Sequence, residues 1–134
     1  IATPIWLGRL CSIGQRVMER LDAIFHEEEL ADEQGRYYSM GKVAGCLITG
    51  NEDGGHEVAA HVLWALQELG WTVPANSNAF WVGASGNRQD YTDAGGTEEK
   101  TTNGTIKTMA DNIVHLAALL KENPYTTDVK RNSN

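Results

Sequence analysis

Basic residues are scarce in this 134-residue sequence, which has 11 Lys and Arg against 18 Asp and Glu and a formal net charge of -7. A protein that binds the phosphate backbone of a nucleic acid needs clustered Lys and Arg. The sequence therefore predicts no nucleic acid partner.

Long apolar runs are also absent, since no stretch approaches the roughly 18 residues that a membrane span requires. No signal peptide pattern precedes the first predicted helix. We therefore expect no membrane span and, by default, a cytoplasmic location. Two cysteines are too few for a disulfide scaffold. Cys46 falls in an apolar run and Cys11 near a predicted helix start, so both are predicted to be reduced thiols with a structural role.

The common motifs for nucleotide binding and covalent catalysis are missing. There is neither a G-x-G-x-x-G fingerprint nor a G-x-x-x-x-G-K-[ST] phosphate loop, and no Ser, Cys or Thr has a base and an orienting group beside it in sequence. His56 and His61 resemble a zinc-protease pair, but their spacing places them about 140° apart on a helix, too far to share a metal. Asp111 and His115 fit an ordinary ion pair on a surface helix. The sequence predicts no catalytic residue and no metal site.

What the sequence does contain is a strand, a glycine-rich turn and a helix in succession. Residues 43–49 are apolar at nearly every position, which is typical of a parallel strand covered by helices on both faces. The turn at residues 50–55 follows, and an amphipathic segment opens at His56. Ligands of open α/β sheets bind beyond the carboxyl ends of the strands, so this turn is the first candidate site. Gly54 and Gly55 either let the backbone approach a flat or anionic ligand or only turn the chain, and their spacing favours neither role.

The composition, 41% hydrophobic and 22% charged, fits one globular domain. A first helix is predicted over about residues 12–25, with an apolar stripe on the sheet formed by Leu10, Ile13, Val17, Leu21 and Ile24. A second strand over residues 71–82 is interrupted by Pro74, which predicts that the strand lies at a sheet edge or has a bulge there. Residues 83–104 are predicted to be a long loop over a neighbouring subunit or the mouth of an active site. A final helix is predicted over residues 106–120, stopped by Asn123-Pro124.

The first residues are predicted to end a strand that breaks at Thr3-Pro4, followed by a loop to Gly8. Trp6 in this loop would be a wall for an aromatic ligand, contact a neighbouring subunit, or fold back on the core. A strand stub and two strands leave one sheet edge uncovered, so we expect residues before Ile1 or another chain at that edge.

Four segments, taken in order, resemble the NAD(P)H-dependent FMN reductase group of the flavodoxin-like superfamily: TPIWLG at 3–8, TGNEDGGHE at 49–57, GWTVP at 70–74 and FWVG at 80–83. The resemblance covers essentially the whole chain. It implies a flavodoxin-like α/β fold of three α/β/α layers, with a parallel sheet in the order 2-1-3-4-5 and FMN at the carboxyl ends of the strands. Residues 1–134 would then be the C-terminal part of a single flavodoxin-like domain that lacks the first strands and the FMN phosphate loop.

The resemblance further implies an oxidoreductase in which electrons pass from NAD(P)H through FMN to a small acceptor such as a quinone or free flavin. The residues that it places along the flavin ring are Thr3, Pro4, Ile5, Trp6, Leu7, Gly8, Gly50, Asn51, Glu52, Asp53, Gly54, Gly55 and His56. They would be positioning groups, since the organic chemistry belongs to the cofactor. A homodimer or homotetramer is also implied. Two other functions stay open: a flavin-binding electron carrier or redox sensor that does not use nicotinamide, and a flavodoxin-like scaffold without a cofactor.

Overall fold

The computed structural model describes residues 1–86 and 89–132, so Asn87 and Arg88 of the predicted long loop lie outside the described residues. The strands and helices, in chain order, are β1 Ala2–Trp6, β2 Arg9–Leu10, α1 Ser12–Phe25, β3 Cys46–Gly50, α2 Gly55–Glu68, β4 Asn78–Val82, α3 Lys100–Glu122 and α4 Val129–Asn132. Short 3-10 turns cover Glu28–Leu30 and Gly96–Glu98. The predicted α/β class is confirmed.

The strands form one four-stranded sheet in the order β2-β1-β3-β4. β1, β3 and β4 run parallel, and the short β2 turns back antiparallel on the end of β1. β3 is an interior strand, as its apolar run predicts, but it begins at Cys46, and Val43 makes only an isolated bridge with Thr72. β4 comprises only Asn78–Val82 of the strand predicted over residues 71–82, so Pro74 precedes the strand and does not interrupt it. Within the described residues β4 lies at a sheet edge.

The predicted break at Thr3-Pro4 is wrong, because β1 continues through Pro4 to Trp6. The turn that follows contains only Leu7 and Gly8, which have positive φ angles of 51° and 73°. The predicted loop over residues 4–8 is thus a strand end and a tight hairpin turn.

The ladder between β1 and β3 explains why a proline fits in β1. The Leu47 N–H donates to the Ile1 carbonyl across 2.8 Å, so the backbone groups of Ile1 face β3. Because these directions alternate along a parallel strand, the nitrogen of Pro4 faces away from β3. Proline has no N–H, but at this position the N–H would face away from β3. Pro4 therefore removes no hydrogen bond between β1 and β3.

Helix α1 has the predicted bounds, but its predicted apolar stripe faces the core only in part: Leu10 and Leu21 pack against the core, and Ile13, Val17 and Ile24 are exposed. Ile13 is 75% exposed and Val17 is 40% exposed, whereas Gly14 and Met18 are buried. A Cβ on Gly14 would lie 3.1 Å from the Thr3 hydroxyl oxygen. α1 carries apolar residues on two neighbouring faces, and the absence of a side chain at Gly14 selects the face that approaches β1.

The main core lies between the sheet and helices α1 and α2. Cys46 and Ile48 of β3 contact the inner face of α2, where Val58, Val62 and Leu66 are each exposed by 2% or less. α2 begins one residue before the predicted start at His56, and Gly70 follows it with a φ of 85°, as expected for a helix stop.

Helix α3 covers the opposite face of the sheet, where Met109 and Ile113 lie over Gly45. It begins at Lys100 and not at residue 106 as predicted, because the Glu99 carboxylate accepts hydrogen bonds from the Thr101 and Thr102 N–H groups. Polar Thr, Asn and Gly residues in its first turns conceal this start in the sequence. Its end at Glu122 agrees with the predicted stop. Among the described residues, no helix combines the length and the apolar character needed to cross a membrane.

Candidate functional site

A cavity of about 290 Å³ opens at the carboxyl ends of β1, β3 and β4. The chain segments that follow these strands supply its walls. Its lining residues are Pro4, Ile5, Trp6, Thr49, Gly50, Asn51, Glu52, Trp81, Gln89, Asp90 and Tyr91. This is the end of a parallel sheet at which α/β proteins bind ligands, and it is the place that the sequence predicts.

Trp81 and Tyr91 form an aromatic wall of the cavity. Their ring centroids are 5.4 Å apart and their planes meet at 81°, an edge-to-face arrangement. Two glycines make room for these rings, since a Cβ on Gly83 would lie 2.7 Å from Trp81 Cη2 and a Cβ on Gly96 would overlap the Tyr91 ring. The Gly96 N–H also donates to the Tyr91 carbonyl across 2.8 Å. The positions of both rings are therefore set by close backbone packing.

Trp6 supplies aromatic surface on the other side of β3. Thr49 lies between Pro4 of β1 and Trp81 of β4 in the sheet register. Trp6 follows Pro4 on the same face of β1, and its side chain is 64% exposed. The cavity thus has tryptophan side chains on both flanks, an arrangement suited to a flat aromatic ligand.

The remaining lining is polar and acidic. Asn51 and Glu52 come from the turn after β3, and Gln89 and Asp90 come from the loop after β4. Within the described residues the lining includes two carboxylates and no Lys, Arg or His. Such a surface can hydrogen-bond to the neutral polar edge of a ring, whereas it repels a phosphate group.

Gly54 and Gly55 of the glycine-rich turn do not line the cavity, whereas Gly50, Asn51 and Glu52 of the same turn do. A Cβ on Gly54 would lie 2.7 Å from Gly8 Cα, and the φ of Gly54 is 128°. A Cβ on Gly55 would lie 3.0 Å from Phe80 Cδ2. The close approach that Gly54 permits is therefore to Gly8, and these contacts account for both glycines without a ligand.

Of the predicted flavin-site residues, those that line the cavity are Pro4, Ile5, Trp6, Gly50, Asn51 and Glu52. Those that do not line it are Thr3, Leu7, Gly8, Asp53, Gly54, Gly55 and His56. Thr3 points under α1, where its hydroxyl lies 3.3 Å from the Cys11 sulfur. His56 packs edge-on against Phe80, with ring centroids 4.8 Å apart. Asp53 accepts the Gly54 N–H at 2.7 Å, and Leu7 and Gly8 form the hairpin tip.

Five lining residues were missed as site residues from the sequence: Thr49, Trp81, Gln89, Asp90 and Tyr91. Thr49 and Trp81 each stand near the carboxyl end of a predicted strand, which is a signal that could have identified them. Gln89, Asp90 and Tyr91 belong to the long loop predicted to cover an active-site mouth, and they do lie at this cavity. Their individual positions carry no periodic signal.

The two histidines that resemble a zinc pair lie in different surroundings. His61 Nε2 is 3.1 Å from Gln15 Oε1 of α1, whereas His56 contacts Phe80. On α3, Asp111 pairs with Lys107 at 2.5 Å. In the described part of the chain, no group of three or more His, Cys, Asp and Glu side chains could hold a metal ion.

Both cysteines are free thiols, as predicted. The Cys11 sulfur accepts the Gly14 N–H at 3.3 Å as the cap of α1. The hydrogen bond with Thr3 is the main cause of a lowered Cys11 pKa. Burial raises the pKa of the Cys46 thiol to about 11. The two thiols therefore differ in character, although neither lines the cavity at the carboxyl ends of the strands.

No family model matches this chain. Two curated proteins are similar in sequence. The 8-demethyl-8-aminoriboflavin-5'-phosphate synthase of Streptomyces davaonensis is 41% identical over 130 residues, which are 97% of this chain and 49% of that protein. The divalent metal cation transporter MntH of Mycobacterium bovis is 43% identical over 120 residues, which are 88% of this chain and 17% of that protein.

One solved structure is similar in fold and sequence. It is the crystal structure of RosB with the bound intermediate 8-demethyl-8-formylriboflavin-5'-phosphate, with a TM-score of 0.87 and 39% identity. The match covers 98% of this chain and 51% of the RosB chain. The present chain therefore spans about half of a structure that holds a flavin phosphate, about half of the Streptomyces synthase, and less than a fifth of the transporter.

Proposed function

We propose that this chain forms the ring-binding part of an enzyme that acts with flavin phosphates. The observation that carries the proposal is the cavity at the carboxyl ends of β1, β3 and β4, with Trp6 on one flank and Trp81 and Tyr91 on the other. Similarity to a flavin-phosphate synthase, and to a solved structure with a flavin-phosphate intermediate, supports a flavin over other flat aromatic ligands.

The residues of the cavity fit the isoalloxazine ring but not the phosphate. Aromatic side chains would contact the faces or edges of the ring, and Asn51 and Glu52 would face polar ring atoms. The two lining carboxylates disfavour a phosphate at the same place. A bound flavin would supply the electron-transfer chemistry, and the protein would orient the ring and exclude water.

The specific activity that we propose is electron transfer from NAD(P)H through FMN to a small acceptor, as in the FMN reductases that the sequence resembles. No protein acid or base is required, which agrees with a cavity lined by positioning groups. The chain would contribute by holding the nicotinamide ring close to the flavin ring and by excluding water.

A second candidate is an enzyme for which the flavin phosphate is the substrate. This alternative is favoured by the similarity to the Streptomyces synthase, which makes an 8-amino flavin phosphate, and to RosB, which holds an 8-formyl intermediate. The two candidates share a ring site and differ in the fate of the flavin. A cofactor returns unchanged after each cycle, whereas a substrate leaves with a different substituent.

Ligand titration tests the shared ring site. We expect FMN and 8-demethyl-8-formylriboflavin-5'-phosphate to shift in visible absorbance on binding and to quench tryptophan fluorescence. Trp81→Leu should weaken binding about tenfold or more, equivalent to about 1.4 kcal/mol. The matched control is Trp64→Leu, because Trp64 is 65% exposed on α2 and lies outside the cavity lining. Equal affinity for both variants and the wild type would refute the ring site.

Turnover separates the two candidates. Addition of NADPH in air should give steady oxidation of NADPH with unchanged flavin if the protein is a reductase. Recovery of a flavin with a new substituent, identified by mass, would instead establish the flavin as substrate. A binding-competent protein that does neither would be an electron carrier or sensor.

A further inference from the structure

Two carboxylates in the cavity at the carboxyl ends of the strands have no positively charged partner among the described residues. Glu52 and Asp90 line this cavity, and neither belongs to an ion pair in the described part of the chain. The lining in the same part of the chain contains no Lys, Arg or His. A ligand in the cavity therefore experiences a negative local potential.

Each of these carboxylates is held in place by a backbone N–H group. Glu52 Oε1 accepts from the Leu7 N–H across 2.7 Å, and Asp90 Oδ1 accepts from the Asp93 N–H across 3.0 Å. Within the described residues, the second oxygen of each group has no hydrogen-bond partner. The fold thus positions the two charges before a ligand arrives, so binding requires little ordering of these side chains.

Aromatic rings line the same cavity as the two carboxylates. Trp6 is on one flank, and Trp81 and Tyr91 are on the other, with the centroids of the latter two rings 5.4 Å apart. The face of an aromatic ring is the negative end of its quadrupole and attracts a cation. Carboxylates and ring faces therefore favour the same sign of charge on a ligand.

A metal ion fits this lining less well than an organic cation. Among the described residues, no group of three or more His, Cys, Asp and Glu side chains could hold a metal. Ca²⁺ and Mg²⁺ require about six or more oxygen ligands, and tryptophan rings supply none. A flat ring that carries a positive charge can instead contact the aromatic side chains and remain near the carboxylates.

We propose that the cavity selects planar organic cations of the N-alkylpyridinium class over neutral rings of the same size. The inference rests on the ring site of the proposed function and adds a selection by charge. The oxidised nicotinamide ring is such a cation, whereas the reduced nicotinamide ring and the oxidised flavin ring are neutral. The cavity therefore binds an oxidised nicotinamide ring more tightly than a reduced one.

The two carboxylates contribute unequally to this selection. Glu52 is half-buried, whereas Asp90 is exposed. Water and salt screen an exposed charge more strongly than a partly buried one. Glu52 is therefore the main determinant of the preference for a cation.

A pair of small ligands of matched size tests the proposal. The probes are the 1-methylnicotinamide cation and its neutral counterpart N-methylnicotinamide, in which the methyl group is on the amide nitrogen. Each is titrated into isotope-labelled protein, and the NMR signals of Thr49, Trp81 and Tyr91 locate the binding site. We expect the cation to bind about tenfold more tightly at low salt, and the difference to shrink as salt is added.

Two variants remove one charge each and keep an acceptor oxygen for the backbone N–H: Glu52→Gln and Asp90→Asn. The control is Glu68→Gln, because Glu68 is exposed on α2, lies outside the cavity lining and changes the net charge equally. Glu52→Gln should weaken binding of the cation about threefold or more, and Asp90→Asn should weaken it less. Binding of the neutral ligand should not change, and Glu68→Gln should resemble the wild type.

Equal affinity of the wild type for the two probes would overturn the proposal, as would an equal loss of cation binding in Glu68→Gln. Nicotinamide mononucleotide distinguishes two sources of the cation within the proposal. Tighter binding than 1-methylnicotinamide would identify a nucleotide as the ligand, and weaker binding would identify a cation without a phosphate. FMN is titrated separately into the same protein, so a failure of flavin binding is distinguished from a failure of selection by charge.

Discussion

The Glu52 carboxylate accepts a hydrogen bond from the Leu7 N–H across 2.7 Å, which joins the turn after β3 to the β1–β2 hairpin. The backbones of Gly54 and Gly8 meet at the same place, and Arg9 of the hairpin pairs with Glu57 of α2. Two segments that are 45 residues apart in sequence therefore form one unit beside the cavity at the carboxyl ends of the strands. This unit sets the position of the hairpin that carries Trp6.

The first prediction concerns Gly54, which has a φ of 128° and whose Cβ would lie 2.7 Å from Gly8 Cα. We expect Gly54→Ala to lower the free energy of unfolding by about 1–3 kcal/mol, because the side chain meets backbone atoms that cannot move aside. Gly104→Ala is the control: Gly104 is helical with nothing within 4 Å of an added Cβ. It should raise stability by up to about 1 kcal/mol. Urea unfolding measures both, and a wild-type midpoint for Gly54→Ala would contradict the prediction.

A second prediction isolates the bond between Glu52 and Leu7. Glu52→Ala removes the acceptor and should destabilise the hairpin by about 1 kcal/mol, whereas Glu52→Gln keeps an acceptor oxygen and should retain most of the stability. Amide hydrogen exchange at Leu7 is the direct measurement. Faster exchange is expected in Glu52→Ala than in Glu52→Gln, and equal rates in the two variants would show that the bond is not formed in solution.

The third prediction is that the two thiols react at different rates. Cys11 is partly exposed with a lowered pKa, and Cys46 is 1% exposed with a pKa raised to about 11. Since the thiolate is the reactive form, iodoacetamide at neutral pH should modify Cys11 in the folded protein and Cys46 only after unfolding. Peptide mass mapping reads both sites, with Cys11→Ser as the unreactive control. Equal labelling of the native thiols would be the contrary result.

The fourth prediction is a pH dependence from the cap of α3. Hydrogen bonds from Thr102 and Thr101 lower the pKa of Glu99 from its usual 4.5 to about 2. A lowered pKa in the folded state means that the cap stabilises the protein above about pH 4.5, and this contribution is lost as the pH falls through about 2. The melting temperature of Glu99→Gln should therefore be lower than that of the wild type at pH 6. The difference should shrink toward pH 2.5; a difference independent of pH would refute the role of the carboxylate charge.

The local pattern of the sequence determined the α/β class, the interior position of β3, the bounds of α1 and the end of α3. It also predicted a candidate site at the turn after β3, because the carboxyl ends of parallel strands share one edge of a sheet. Gly50, Asn51 and Glu52 of that turn line the cavity. These features depend on residues close together in the chain: the apolar run before Gly50, the helical spacing from Ser12, and the stop at Asn123-Pro124.

Tertiary structure decided which residues meet. Ile13 and Met18 are both compatible with an inward face of α1, and in the folded chain Gly14 approaches Thr3 and Met18 is buried beside it. Likewise, the sequence allows Gly54 either to approach a ligand or only to turn the chain. The structure shows that the backbone of Gly8 lies against Gly54. Tyr91 comes from a loop without periodicity and reaches the cavity through its contacts with Trp81 and Gly96. Hydrophobic periodicity specifies an element and its apolar faces, whereas contacts between distant segments depend on shape and close approach, which appear only when the elements pack together.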